Sequence, residues 1–226
     1  MRENSYSPAI KDRWGKNSYH DRNFNNKLRL LQFDKDRQYL HRFVSDGKIC
    51  DVGCGTGEFL EYIQWQGDRY GMEISDYATQ EAQKRGIDFS KHILNQVDFF
   101  DVILFRGTLQ HVDVPLYLVK SAYRALKPGG FIVFLATPNS ESILYRLKQN
   151  LPALNPKKNF YIPGARQLSN ILENFEFKVL DISYPYIETP YASPVLDHAK
   201  FIINLLTPLY IKHPFWKSMM NMVAMK

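Results

Sequence analysis

The chain has 226 residues, 45% of them hydrophobic and 23% charged, with a formal net charge of +6. That is enough apolar material for one sizeable core, and it excludes a disordered, collagenous or disulfide-stapled chain. No apolar run reaches the roughly 18 to 20 residues that span a bilayer, and the opening MRENSYSPAIKDRW lacks the apolar stretch of a signal peptide, so the expectation is a cytoplasmic protein.

In chain order, residues 1–44 form a basic arm and a helix. Residues 1–48 hold eleven Lys and Arg against six acids. NKLRLLQFDKDRQYLHRFV, residues 26–44, repeats apolar side chains at helical spacing, Leu28 and Leu31 among them, and ends at Asp46-Gly47. Lys48 to Val52 reads as a strand, 53–57 as a glycine loop and Glu58 to Gln66 as a helix. A second strand follows over Arg69 to Ile74, then a helix capped by Ser75 and stopped by Gly86. Ile87 to Phe89 is a weak third strand and Asp101 to Phe105 a strong fourth. Pro115 opens a helix to Leu126, and the KPGG turn at 127–130 delivers the chain into the apolar strand FIVFLAT. Alternating strands and helices imply a parallel sheet with right-handed crossovers.

Past Pro138 the pattern loosens. Helices are expected over 140–150, 166–174 and 197–206, strands over 177–184 and in the terminal MMNMVAM, and irregular lids over about 150–165 and 185–212. A basic patch runs through Arg146, Lys148, Lys157, Lys158 and Arg166. It suits a phosphate-bearing substrate, nucleic acid, an anionic membrane or plain solvation.

The chemistry concentrates in ICDVGCGTGEFL, residues 49–60. Gly53, Gly55 and Gly57 stand between a strand and a helix, where bare backbone can turn sharply and approach a ligand. Asp51 sits at the carboxyl end of the first strand. Glu73, sixteen residues after Gly57, ends the second, where an acid meets the hydroxyls of an adenosine ribose. The spacing is GxGxG rather than the dinucleotide GxGxxG, and Asp51 would repel a phosphate. A positively charged adenosine derivative fits better. Cys50 and Cys54, four apart, match neither a zinc quartet nor a disulfide framework and read as buried thiols, so no metal is expected.

DVGCGTG resembles motif I of the class I S-adenosylmethionine-dependent methyltransferases, and YGMEIS resembles their second motif. FDVILFRGTLQHVDVP and ALKPGGFIVFLATPN look like the fourth- and fifth-strand motifs of the same family. HPFWKSMMNMVAMK is similar to the closing strand of a subgroup related to ubiquinone-pathway methyltransferases and to enzymes of surface-polysaccharide clusters. The resemblance covers about residues 45–226. It implies a Rossmann-like, doubly wound sheet of seven strands in the order 3-2-1-4-5-7-6, the last antiparallel. It also implies S-adenosylmethionine as cofactor, held by Asp51, Gly53, Cys54, Gly55, Gly57, Glu73, Ile74 and Arg106. Asn95 or Asp88 is the candidate for the adenine amino group, and Tyr19 and His20 for an arm folded over the cofactor.

Catalytic roles fall to His111, whose imidazole suits a general base for a hydroxyl acceptor, and to Arg106, which could clamp a phosphate or carboxylate or pair with Glu73 or Asp113. The expected acceptor is small or lipid-linked, a sugar or polysaccharide precursor first and a quinone or phenolic precursor second. A noncatalytic cofactor-binding protein and a nicotinamide oxidoreductase stand as alternatives. The apolar, lysine-flanked FIINLLTPLYIKHPFW suits sheet cover, a homodimer contact or a peripheral membrane contact. Nucleic acid is disfavoured as a partner, since no NPPY-like motif or appended binding module is present.

Overall fold

The computed structural model describes residues 27–151, 154 and 159–226. Tyr19, His20, Lys157 and Lys158 lie outside them. The elements are α1 (Lys27–His41), β1 (Ile49–Val52), α2 (Glu58–Tyr62), β2 (Arg69–Met72), α3 (Asp76–Lys84), β3 (Phe100–Arg106) and α4 (Pro115–Ala125). They continue as β4 (Leu126–Pro138), α5 (Ile143–Lys148), α6 (Ala165–Asn174), β5 (Lys178–Ser183), α7 (Pro194–Leu206) and β6 (Met219–Met225).

One sheet runs β2-β1-β3-β4-β6-β5, with β6 antiparallel to both neighbours. This is the expected Rossmann-like order with one strand fewer. The seventh, foreseen at 87–89, is a single bridge of Asp88 to Tyr70. Asp88 N–H donates to Arg69 O and Asp88 O accepts from Gly71 N–H, but the Asp88 carboxylate then takes Ser90 N–H and Ser90 Oγ–H, at 2.7 and 2.9 Å. That local turn pulls the chain off the edge before a ladder can extend.

Strand alternation splits the core in two. Cys50, Ile103, Phe105, Ile132, Phe134 and Met222 pack against α4 and α6, with Phe105 and Phe134 stacked at 5.2 Å. Ile49, Val102, Leu104, Val133 and Val223 face Phe33 and Leu40 of α1, Phe59 and Leu60 of α2, and Ala82 of α3. Asp51 and Arg106 follow the alternation onto this second face, so the residues nearest the chemistry share a side with α1.

Several boundaries move for local reasons. The helix after the glycine loop ends at Tyr62 rather than Gln66, because Gln64 turns to φ 51° and the Trp65 indole donates to Gly47 O at 2.7 Å. Helix α1 does not bury Leu28 and Leu31, which are exposed. Its inner face is Phe33, Asp36, Tyr39 and Leu40. The KPGG turn is retained as a bulge within β4, where Gly129 at φ 77° donates to Lys226 O. Ser75 accepts from Ala78 N–H and Gly86 takes φ 74° at the other end of α3, as their residue types foretold.

Candidate active site

β1 and β2 run parallel with Asp51 opposite Gly71 and Val52 opposite Met72, so both deliver their carboxyl ends to one edge. There Gly53, Gly55 and Gly57 take φ of 78°, 57° and 77°. A Cβ resists such left-handed values by about 1–2 kcal/mol each. Two of the three are also demanded by protein neighbours. A Cβ on Gly53 would lie 2.5 Å from Thr108 Cγ2, and one on Gly57 would lie 3.0 Å from Ile87 and 3.1 Å from Ala82. Bare backbone at 53 and 57 therefore seats the loops against each other, a role that differs from the ligand approach expected of all three.

Glu73, one residue beyond β2, locks this arrangement. Its Oε2 accepts from Gly55 N–H at 2.9 Å, while Oε1 accepts from Ile74 N–H at 2.8 Å and Ser75 N–H at 2.9 Å. A carboxylate offers about four lone pairs, so Oε2 keeps one for a hydroxyl donor. Ile74 thus serves by its backbone. The Cys54 N–H is spent within the protein, on Met72 O at 3.3 Å. Its thiol is buried in the core with Phe59, Ala82 and Ile87, and burial pushes it well above the usual thiol range.

Asp51 is 2% exposed, and among the described residues its Oδ1 has no hydrogen-bond partner. Burial raises its pKa to about 7; the Arg106 charge pulls the other way and the Glu73 charge adds to the rise. A buried carboxylate with an unused oxygen calls for a cation or a donor.

Arg106 ends β3 and pairs with neither Glu73 nor Asp113. Its Nε and a terminal guanidinium nitrogen both hold Asp36 Oδ2, at 2.8 and 2.7 Å, and the guanidinium lies 4.5 Å from the Phe33 ring centre and 4.7 Å from that of Phe59. Gln32 Nε2 donates to the other Asp36 oxygen at 2.8 Å. An acid on the buried face of α1, between Phe33 and Leu40, was the available signal for this pair. A second missed residue is Asn221, a lone amide in the apolar MMNMVAM. Its Oδ1 accepts from Ala136 N–H at 2.9 Å and supports a β4 bulge in which Ala136 takes φ 50°.

Arg106, Ala136 and Asn221 share the wall of a cavity of about 520 Å³ at the carboxyl ends of β3 and β4. Arg29, Gln32 and Phe33 come from α1, Pro185, Thr189 and Tyr191 from the segment after β5, and Pro214, Ser218 and Met219 from the approach to β6. Thr189 Oγ1 donates to Gln32 Oε1 at 2.8 Å and Tyr39 Oη to Asp181 Oδ2 at 2.8 Å, fastening α1 across the opening.

His111 lies on the 3₁₀ turn Leu109–His111 after β3 and is not part of that wall. Its N–H donates to Thr108 O at 2.8 Å and its Nε2 is 3.3 Å from Gln110 Nε2. Of the two adenine candidates, Asp88 spends its carboxylate on Ser90, and Asn95 is exposed with its N–H on His92 O.

The donor set fits S-adenosylmethionine. The remaining Glu73 lone pair suits a ribose hydroxyl, the unsatisfied Asp51 oxygen suits the positively charged amino acid end, and the loop itself carries no cation for a pyrophosphate.

Residues 20–182 match the family described as Methyltransferase domain. A ubiquinone/menaquinone biosynthesis C-methyltransferase of Desulfotalea psychrophila is 30% identical over 115 residues, 46% of this chain and 47% of that protein. A ubiquinone biosynthesis O-methyltransferase of Idiomarina loihiensis is 30% identical over 99 residues, 38% and 41%. The chain thus spans about half or less of these relatives. A solved structure from Thermotoga maritima, described as a methyltransferase dependent on S-adenosylmethionine and a possible histamine N-methyltransferase, has the same fold. Its TM-score is 0.65 at 21% identity, covering 96% of this chain and 97% of the other.

Proposed function

This chain belongs to the class I S-adenosylmethionine-dependent methyltransferases, and from that premise we propose that it methylates a hydroxyl of a small or lipid-linked acceptor in the cytoplasm, a sugar or polysaccharide precursor being the leading candidate. The observation that carries the reading is the placement of the 520 Å³ cavity against Arg106, at the carboxyl end of the strand next to the one bearing Asp51. Cofactor residues and cavity are thus adjacent, as a direct transfer requires.

S-Adenosylmethionine supplies an electrophilic methyl on a positively charged sulfur. The chain's own part is mainly positioning, worth several kcal/mol. Arg106 is orienting: Asp36 and the two aromatic faces hold the guanidinium still, and its remaining N–H groups can receive an anionic group of the acceptor. Tyr191 offers a flat face for a ring, while the Asn221 amide nitrogen and the remaining lone pairs of Gln32 Oε1 and Thr189 Oγ1 offer hydroxyl partners. That mixture supports a sugar. His111 is the proposed base, one turn from the Thr108 that abuts Gly53.

A phenolic or quinone precursor is the second reading, supported by the ubiquinone O-methyltransferase relatives. The test is release of S-adenosylhomocysteine when the protein meets nucleotide sugars, lipid-linked sugars and catechols in turn. Turnover with catechols alone replaces the sugar reading by the phenolic one, and no turnover with any of them removes both.

A further inference from the structure

Helix α7 (Pro194–Leu206) is inside out. Its buried residues are polar, Asp197 at 1% and Asn204 at 2% exposure, whereas Val195 is 84% and Leu206 77% exposed, with Leu196, Ile202, Ile203 and Leu205 also in the open. At 100° per residue, Asp197 and Asn204 share one face, and Val195, Ile202, Ile203 and Leu206 share the opposite one.

The inversion is fixed by hydrogen bonds. Asp197 Oδ2 accepts from Ser193 N–H at 2.8 Å and from Tyr186 Oη–H at 3.2 Å. Asn204 Nδ2 donates to Ile211 O at 2.9 Å and its Oδ1 accepts from Ile211 N–H at 2.7 Å. Rolling the helix to hide its leucines would strand these buried groups, at a cost of about 1–3 kcal/mol apiece. The apolar surface continues into exposed Leu209 and Trp216.

The flanking charge is mainly basic, with Glu141 and Glu188 as the acids beside it. From Tyr191 to Lys217 the only acid is the buried Asp197, against Lys200, Lys212 and Lys217. From Ser142 to Leu172 the sequence holds Arg146, Lys148, Lys157, Lys158 and Arg166 and no acid. Lys148 Nζ donates to Thr207 O at 2.7 Å, which joins α5 to the end of α7. Two copies meeting through this face would set like charges together. An apolar stripe with basic flanks and an edge tryptophan matches an anionic bilayer.

We propose that α7 docks this protein on an anionic lipid surface, its apolar face within the headgroup layer, so that the cavity opens toward a lipid-linked acceptor. The segments on either side of α7, 185–191 and 214–219, supply half the cavity wall. The acceptor half of the inference rests on the methyltransferase reading; the docking does not, and its test uses no methyl donor.

The full chain is sedimented with vesicles of phosphatidylcholine alone or mixed with phosphatidylglycerol, at low and high salt. Binding to the mixed vesicles, weakened by salt, is expected. Val195→Ser with Leu206→Ser lowers the partition coefficient about tenfold or more while leaving helical content and S-adenosylhomocysteine affinity unchanged. Absence of vesicle binding, or equal binding by the double variant, overturns the proposal. So does a concentration-dependent dimer abolished by the same substitutions without vesicle binding, which assigns the face to a second copy.

Discussion

Arg106 and Asp36, 70 residues apart in sequence, meet through two guanidinium nitrogens on a single carboxylate oxygen, with the acid 1% exposed. A helix that precedes the first strand is thereby joined to the strand that faces the cavity. Breaking such a pair from one side leaves a buried charge alone, which costs about 3–5 kcal/mol. Arg106→Met is therefore expected to lower stability by that order in urea denaturation. Asp36→Leu combined with Arg106→Met recovers most of it, and the coupling energy of the double-mutant cycle measures the pair. Additive losses would show that the two side chains do not depend on each other.

Asp51 sets a pH dependence. Its pKa rises from 3.8 unfolded to about 7 folded. The folded state therefore binds the proton more tightly, so this contribution is fully present below about pH 4 and disappears as pH rises through 7. The slope amounts to roughly 4 kcal/mol over that window, and Asp51→Asn flattens it. A cation bound beside the ionised Asp51 stabilises the charged form. S-adenosylmethionine binding below pH 7 is then expected to release a proton, visible as a dependence of calorimetric enthalpy on the buffer's ionisation heat. No difference between wild type and Asp51→Asn in either measurement would remove Asp51 from the site.

Gly53 and Thr108 test why the loop is bare. Gly53→Ala places a Cβ 2.5 Å from Thr108 Cγ2 at φ 78°. Adding Thr108→Ala removes the clash and leaves the backbone strain of about 1–2 kcal/mol. Thermal denaturation is expected to rank wild type above the double variant and the double variant above Gly53→Ala. A double variant no better than the single one would locate the whole cost in φ.

His111, as base, predicts a kinetic split. His111→Ala lowers kcat for a hydroxyl acceptor about 100-fold or more, while S-adenosylhomocysteine affinity holds. An unchanged kcat would reduce the residue to a loop-shaping role.

What the sequence disclosed and what it hid follow from the range of the forces involved. Ser75, Gly86 and Pro115 act within one turn of chain, so their caps and stops were readable. The parallel sheet followed from alternation and right-handed crossovers, and the strand order was implied by the family resemblance. The placement of Asp51, the glycines and Glu73 at one sheet edge was readable because they sit at fixed distances along one strand-loop-helix-strand unit. Asp36 and Asn221 were not, since each is placed by a partner in a distant element, Arg106 or Ala136. The third strand failed through competition, the Asp88 side chain offering Ser90 a bond that ended the ladder. Helix α7 was seen as apolar, but its inverted face depends on Tyr186 and Ile211 fixing which side turns inward.

Calorimetric titration with S-adenosylhomocysteine and, separately, NAD decides whether Asp51 and Glu73 frame a pocket for an adenosyl amino acid. One-to-one binding of S-adenosylhomocysteine is predicted, weakened about tenfold or more by Glu73→Ala, with no heat from NAD. Binding of NAD with none of S-adenosylhomocysteine would assign the pocket to a dinucleotide instead.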